Sequence, residues 1–325
     1  MPRGIVCLNK PAGITSFAVV RAVQEYYRQL NGEPAPQAKR RLIRVGHAGT
    51  LDRPAQGVLL VLLGEATKIA DYLHLLEKEY RAVALLGTQT DTDDTTGRII
   101  AQAEVLGISP DDLAQALARF EGDIEQTPPS YSALKLQGRR SSDLARMGRT
   151  TNLKRRRIRI RKIELLDFSP PRFTFRAIVS SGTYVRALVR DIGLSLGCGA
   201  TLEGLVRTRI GKFSTEQAVA LPDERTTDWP ALGLCSIREA LDFLPLAVVE
   251  EKLARRLWLG QRLKSNEIAP LPPEGPEKYL CIPPGLSPSE DSWPTVVADE
   301  SDSTLMLARL EKDTWRIIRG IYADY

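Results

Sequence analysis

Residues Gly57 to Leu63, Gly-Val-Leu-Leu-Val-Leu-Leu, form an unbroken apolar run ending at Gly64, and this run constrains the fold more than any other. A stretch of this length and β-branched content, bounded by turn residues, reads as a strand buried within a sheet. The composition can cover such a strand: 43% of the 325 residues are hydrophobic and 26% charged, which excludes a largely disordered chain. The length allows about two domains.

Other segments are expected to join it. Ile5 to Leu8 reads as a short strand running into the turn Asn9-Lys10-Pro11-Ala12-Gly13. Thr15-Ser16 opens a helix over Phe17 to Leu30, with Phe17, Val20, Val23 and Tyr27 on one face. Ala66 to Leu76 is helix-like, Tyr80 to Leu86 alternates as a strand, and Ser109-Pro110-Asp111 starts a helix reaching Phe120. Arg157 to Ile163 alternates with period two, which gives a strand with an apolar inner face and a basic outer face, and Phe173 to Ser180 reads as its neighbour. Tyr184 to Leu196 is a further predicted helix. Without a regular βαβα rhythm, the fold class is α+β. Asn31 to Lys39 is a polar loop, and Leu221 to Gly233 marks the edge of the main body. A smaller unit begins near Pro245–Val248, contains a proline-rich loop from Pro270 to Pro294, and ends in two strands, Ser303 to Leu310 and Thr314 to Tyr322.

The net charge of +5 is unevenly spread. Between Lys135 and Lys162 lie twelve basic residues and one acid, Asp143, a local +11 that leaves −6 for the remainder. One concentrated basic segment on a near-neutral body points to a polyanion contact at one place, against the plainer alternative of a solvated charged face. From Arg262 onward there are seven basic and eleven acidic residues, so the C-terminal unit is no electrostatic magnet for RNA.

Several chemistries are excluded by their missing motifs. There is no G-x-x-x-x-G-K-[ST] phosphate loop. Asp91-x-Asp93-Asp94 begins like a calcium loop, but Thr96 and Gln102 occupy the positions of the turn glycine and terminal glutamate. Cys7, Cys198, Cys235 and Cys281 are scattered and read as reduced thiols of a cytosolic protein, and two histidines, His47 and His74, cannot furnish a histidine-rich metal site. No run of roughly 18 apolar residues suggests a membrane span, and no secretory signal is evident at the N-terminus. One stretch stands apart: Val45-Gly46-His47-Ala48-Gly49-Thr50-Leu51-Asp52-Arg53-Pro54-Ala55-Gln56-Gly57 carries a histidine and an aspartate five residues apart and feeds straight into the buried strand. Two readings fit it, polar chemistry held against a rigid element or a tight loop whose aspartate caps a turn.

This stretch resembles the catalytic loop of the TruB family of tRNA pseudouridine synthases, G-H-x-G-T-L-D-P-x-A-x-G-x-L. Other motifs of that family follow in order over residues 4–212. Lys10-Pro11-Ala12-Gly13-Ile14-Thr15-Ser16 is similar to K-P-x-G-x-T-S, Lys78-Glu79-Tyr80 to K-x-Y, and Thr90-Asp91-Thr92-Asp93-Asp94 to T-D-T-D-D. Pro128-Pro129-Ser130-Tyr131-Ser132-Ala133-Leu134-Lys135 is similar to P-P-x-Y-S-A-x-K, and Gly182-Thr183-Tyr184-Val185-Arg186 to G-T-Y-[IV]-R. Gly199-Ala200-x-Leu202, followed by Leu205-Val206-Arg207-Thr208, matches the last motif. Three positions depart: Arg53 where proline is usual, Ser142 where tyrosine is usual, and Ser181 where lysine is common.

The resemblance implies a pseudouridine synthase fold, a mixed, largely antiparallel sheet flanked by helices, over residues 1–245. It further implies a thumb-like basic insertion at about 130–157 and a small PUA-like β domain over 246–325. It implies isomerisation of uridine at position 55 in the T-loop of tRNA, with no cofactor and no metal. By the same resemblance Asp52 is the nucleophile, Arg186 its ion-pair partner, and Tyr80 the ring that stacks on the base. His47 is expected to prop the space left by the flipped base, Lys10 to support the site wall, and Tyr184 and Leu205 to line the pocket. Arg139, Arg140 and Arg146, with Arg149 and Lys154 to Arg157, would grip RNA phosphates. The resemblance also implies a cytoplasmic monomer that meets the T-arm without an obligatory protein partner and without a membrane. Two alternatives remain: an RNA-binding or tRNA-folding protein with incidental or lost catalysis, and a guide-RNA-dependent, dyskerin-like enzyme, a branch that lacks the inserted thumb.

Overall fold

The computed structural model describes residues 2–30, 43–132, 135–136, 139–140, 153–221, 232–273, 280–281 and 293–324. Its centre is a ten-stranded mixed sheet. Across it run Val219–Ala220, Gly4–Lys10, Gln56–Leu63, Ala200–Ile210, Lys78–Leu86, Arg172–Val179, Arg156–Ser169 and Gly122–Gln126. The short strands Val45–Ala48 and Phe213–Ser214 attach to Gln56–Leu63 and Ala200–Ile210. Two pairings are parallel, Gly4–Lys10 with Val219–Ala220 and Gln56–Leu63 with Ala200–Ile210; the others are antiparallel. The expected largely antiparallel α+β body is the one found.

The two halves of this sheet differ in cover, and their sequences show it. Gln56–Leu63 is buried on both faces. Leu59, Val61 and Leu63 meet the helix Ser16–Leu30 through Val19, Val23 and Tyr27. Val58, Leu60 and Leu62 face a second core shared with Leu241, Phe243 and Leu244 and with Val296, Leu305 and Ile321 of the C-terminal sheet. A strand covered twice has no polar face, hence its unbroken apolar run. In the other half, Ile158, Ile160, Ile163, Phe173 and Phe175 point to one core under the helices Pro110–Ala118 and Val185–Ser195. The opposite face carries Arg172–Glu203, Arg176–Glu164 and Arg209–Glu79 ion pairs. Alternation is the consequence of single-sided cover. A register shift between Ile160 and Lys162 lets two consecutive basic residues, Arg161 and Lys162, both face outward.

The predicted helix over Ala66 to Leu76 is instead a 3₁₀ stretch, Gly64–Ile69, running into a single α-turn, Ala70–Leu73. Ala66, Ile69 and Leu73 are its buried residues, spaced three and then four apart, so the tighter winding aims them all at the shared core.

The C-terminal unit is a five-stranded sheet in the order Leu246–Val249, Thr295–Asp299, Thr304–Glu311, Thr314–Ala323, Leu263–Lys264, with the helix Glu251–Trp258 against it. The two terminal strands were anticipated; Thr295–Asp299, Leu263–Lys264 and the helix were not. The loop at Asn31 to Lys39, most of Leu221 to Gly233, and residues 274–279 and 282–292 of the proline-rich loop lie outside the described residues. No helix among the described residues is long and apolar enough to cross a membrane.

Candidate active site

The loop preceding Gln56–Leu63 is fastened along its length. At its start, Arg207 donates from Nη2 to the Gly49 carbonyl (2.9 Å) and from Nε to the Val58 carbonyl (2.8 Å). In its middle, Ser16 and Leu51 exchange two bonds: Leu51 N–H donates to Ser16 Oγ (2.9 Å), which donates to the Leu51 carbonyl (3.1 Å). Gly57 closes the loop at φ +104°, where a Cβ would lie 2.2 Å from the Arg207 carbonyl, so glycine is required both by conformation and by the passing strand.

Arg53 also belongs to this fastening. Its Nε donates to the Gly13 carbonyl (2.7 Å), and its own carbonyl accepts from Gly13 N–H (2.9 Å). Lys10 Nζ donates to the carbonyls of Pro11 (2.9 Å), Ile14 (2.8 Å) and Arg53 (3.4 Å). The extra cation after the aspartate is thus spent on the neighbouring turn. Lys10, expected at the site wall, is fully buried beneath that turn and is not among the residues lining the cleft. Burial, with help from the nearby Arg207 charge, pulls its ammonium down to about 8, while Asp52 acts in the opposite sense.

The fastened loop presents Asp52 to a cleft of about 270 Å³. Tyr80, Tyr184, Arg186 and Leu205 line the same cleft, so five of the sequence-predicted residues converge from four separate elements. Arg186 Nε stands 2.9 Å from Asp52 Oδ2; the carboxylate side chain is 44% exposed and the arginine 7%. The rest of the guanidinium is fixed. Nη1 donates to the Thr92 carbonyl (2.9 Å) and lies 3.6 Å from Asp94 Oδ2, and Nη2 donates to the Tyr131 carbonyl (3.0 Å). A buried, immobilised cation beside a reachable carboxylate sets the direction in which that carboxylate points.

The turn that resembled a calcium loop is built differently. Asp94 accepts from Thr92 Oγ1 (2.8 Å), Thr96 N–H (3.0 Å) and Thr96 Oγ1 (2.5 Å). Its carboxylate is satisfied by its own turn and by Arg186, and no metal-ligating cluster occurs among the described residues.

His47 lies on the strand Val45–Ala48 opposite Val61 and is not among the cleft-lining residues. Burial and the Arg207 charge keep its imidazole below the ordinary value, so the ring is neutral near pH 7. Arg139 and Arg140 form one strand of a short hairpin opposite Lys135–Leu136. Arg146 and Arg149 lie outside the described residues.

Further side chains line the cleft, His74, Lys78, Ser132 and Arg207 among them. Lys78 and Arg207 stand inside motifs already quoted, but their types alone did not mark them as buried. His74 has no sequence signal. Lys78 donates to the His74 carbonyl (2.6 Å), and burial brings its ammonium down to about 7, with Arg207 acting in the same direction.

Comparison with known proteins agrees with this geometry. Residues 37–185 match the N-terminal domain of the TruB family pseudouridylate synthases, and residues 186–225 match the tRNA pseudouridylate synthase B C-terminal domain. The chain is 40% identical over 274 residues to a tRNA pseudouridine synthase B of Burkholderia mallei (strain NCTC 10247), covering 83% of this chain and 85% of that one. It is 44% identical over 218 residues to the tRNA pseudouridine synthase B of Pseudomonas aeruginosa (strain UCBPP-PA14), covering 67% of each. Among solved structures, a Cbf5-Nop10-Gar1 complex aligns with a TM-score of 0.67 at 25% identity, covering 98% of this chain and 85% of that one. With family matches running across the Asp52 loop and through the Arg186 helix, the chain belongs to the TruB family of pseudouridylate synthases.

Proposed function

We propose that this protein isomerises uridine 55 in the T-loop of tRNA to pseudouridine, with Asp52 as nucleophile. One observation carries the reading: an accessible carboxylate, paired with an immobilised arginine 2.9 Å away, opens onto a cleft lined by Tyr80, Tyr184 and Leu205. The N1–C1′ bond of the uridine breaks, the base turns within the cleft, a C5–C1′ bond forms, the proton on C5 leaves to solvent, and N1 takes up a proton from solvent, so the product is an isomer of the substrate. Nothing is oxidised or reduced, so the chemistry calls for no cofactor. Arg186 holds Asp52 aimed into the cleft. Tyr80 stacks on the uracil and assists removal of the C5 proton. Leu205 and Tyr184 supply apolar walls that keep the rotating base in place. The target base must leave its stack, at an order of a few kcal/mol. His47 is assigned to the space it vacates and Lys10 to the stability of the wall.

The basic insertion at about 130–157, including Arg139, Arg140 and Arg146, binds phosphates of the T-arm and positions the RNA without reading bases. Residues 1–245 form the catalytic domain and 246–325 a PUA-like β domain, in a cytoplasmic monomer. The decisive measurement is tritium release from a T-loop stem-loop carrying 5-³H-uridine. Release by the wild type and none by Asp52→Asn, with RNA binding retained, is the expected result. Binding without release in both proteins overturns the reading. The likeness to the Cbf5 complex over 98% of the chain favours a second reading, guide-dependent modification. Turnover on free tRNA with no other protein present excludes it.

A further inference from the structure

Arg186 does not set its own orientation. Its guanidinium plane is held by two carbonyls, those of Thr92 and Tyr131, and both belong to loops. One turn further along the same helix, Arg190 grips those same two loops. Its Nη1 lies 2.9 Å from Asp93 Oδ2, and its Nη2 donates to the Thr127 carbonyl (2.9 Å). Residues i and i+4 lie on one helix face about 6 Å apart along the axis. The two arginines therefore form parallel rungs: Arg186 from Thr92 to Tyr131, and Arg190 from Asp93 to Thr127.

Asp93 sits at φ 61°, a left-handed turn conformation that aspartate tolerates, and its carbonyl also accepts from Leu202 N–H (3.1 Å), so Arg190 adds a side-chain tie to a turn already joined to the sheet. Thr127 to Tyr131 contains Pro128-Pro129, whose fixed φ angles make the segment stiff, so a shift at Thr127 is carried on to the Tyr131 carbonyl. A third tie closes the assembly. Gln126, fully buried at the end of its strand, exchanges both amide bonds with the backbone of Tyr184: Tyr184 N–H donates to Oε1 (2.9 Å), and Nε2 donates to the Tyr184 carbonyl (3.1 Å). Gln126 thus fixes the start of the arginine-bearing helix to the strand from which the Thr127–Tyr131 segment departs.

We propose that Arg190 and Gln126 are positioning residues for the Asp52–Arg186 pair, acting by fixing the two loops whose carbonyls orient Arg186. This rests on the reading of Asp52 and Arg186 as the reacting and orienting groups. Neither Arg190 nor Gln126 lines the cleft; Arg190 bonds Asp93, Asp191 and Thr127, none of them a cleft wall, so its removal changes the aim of Arg186 while leaving the substrate walls in place, whereas Gln126 also holds the backbone of the wall residue Tyr184.

The test uses the full chain with a 5-³H-uridine stem-loop under single-turnover conditions, enzyme saturating over RNA, alongside filter-binding affinity and thermal denaturation. Wild-type release establishes the underlying reading first; if the wild type releases nothing, the proposed function fails and not this inference alone. Given an active wild type, Arg190→Gln and Gln126→Met are expected to lower the saturated rate by about 10²-fold, the scale of an ångström of misplacement. RNA affinity should stay within about threefold of wild type. Arg190→Lys, which keeps the charge facing Asp93 but loses the fork reaching Thr127, should recover part of the rate. An unchanged saturated rate in folded Arg190→Gln and Gln126→Met proteins overturns the proposal, as does a loss that weaker RNA affinity wholly accounts for. A purely structural role would lower the melting temperature and leave the saturated rate of the folded fraction untouched, which also overturns it.

Discussion

Glu77 and Asp52 each hold an arginine at close range, 2.8 Å to Arg209 and 2.9 Å to Arg186, yet the two pairs are built in opposite senses. The Glu77 side chain has no exposed surface, and its arginines, Arg209 and Arg161, reach in from more open positions, 18% and 38% exposed. In the Asp52 pair the arginine is buried and the carboxylate stands 44% exposed in the cleft. A carboxylate enclosed by two cations is unreachable, so it stabilises the junction between Lys78–Leu86, Arg156–Ser169 and Ala200–Ile210. A carboxylate bound along one edge by a fixed cation keeps its other oxygen free to react. Two carboxylate–arginine pairs of nearly equal length thus suit structure in one case and the proposed chemistry in the other, according to which partner is buried.

Breaking the exposed carboxylate gives the largest effect. Asp52→Asn is expected to remove turnover altogether while moving the melting temperature by no more than about 2 °C, because Asp52 itself is 44% exposed and Arg186 keeps the Thr92 and Tyr131 carbonyls and the nearby Asp94 as partners. Glu77→Gln should do the reverse, lowering unfolding free energy by about 2–3 kcal/mol as its arginines lose a buried partner, with the rate per folded molecule retained. Urea denaturation and single-turnover assays on both variants test the contrast; a destabilised but active Asp52→Asn protein would erase it.

A smaller effect is readable in pH. Burial lowers Lys78 to about 7, so above that pH the folded protein sheds a proton that the unfolded chain keeps until near 10.5. The unfolded state then binds more protons, and stability contributed through Lys78 rises with pH, by up to about 1.4 kcal/mol per unit. The unfolding free energy of wild type minus that of Lys78→Met should therefore increase between pH 7.5 and 8.5. A flat difference would place Lys78 in a more hydrated setting than Glu77, its neighbour. The smallest effect belongs to Arg53→Pro. The Arg53 side chain bonds the Gly13 carbonyl, while the backbone carbonyl, which Gly13 and Lys10 use, survives the change. A rate within about fivefold of wild type is expected; collapse of turnover would show that Arg53 acts on Asp52 itself.

Much of this contrast was legible in the chain. Alternation in Arg157–Ile163 and its absence in Gly57–Leu63 told which strand is covered on one face and which on two, because side-chain period follows sheet geometry directly. The ordered motifs named Asp52, Tyr80, Tyr184, Arg186 and Leu205, and the structure brings them to one cleft. Other parts were hidden. Lys10 and Lys78 have the same side chain, each with backbone carbonyls as acceptors, yet one lies under a turn and the other lines the cleft. That difference depends on packing between segments far apart in sequence. His74, which caps the single α-turn Ala70–Leu73, reaches the cleft without any signal in its sequence neighbourhood.

The sequence by itself determined the α+β class and which strands are covered on one face or two, since periodicity and residue type act locally; the Asp52 loop stood out through its resemblance to a family motif. Tertiary structure decided the rest: which carboxylate is open and which closed, why Arg53 turns toward Gly13, and how Arg186 and Arg190 span the same two loops. Those outcomes depend on burial and on carbonyls contributed by residues 55 to 94 positions away from the two arginines, and no local pattern encodes them.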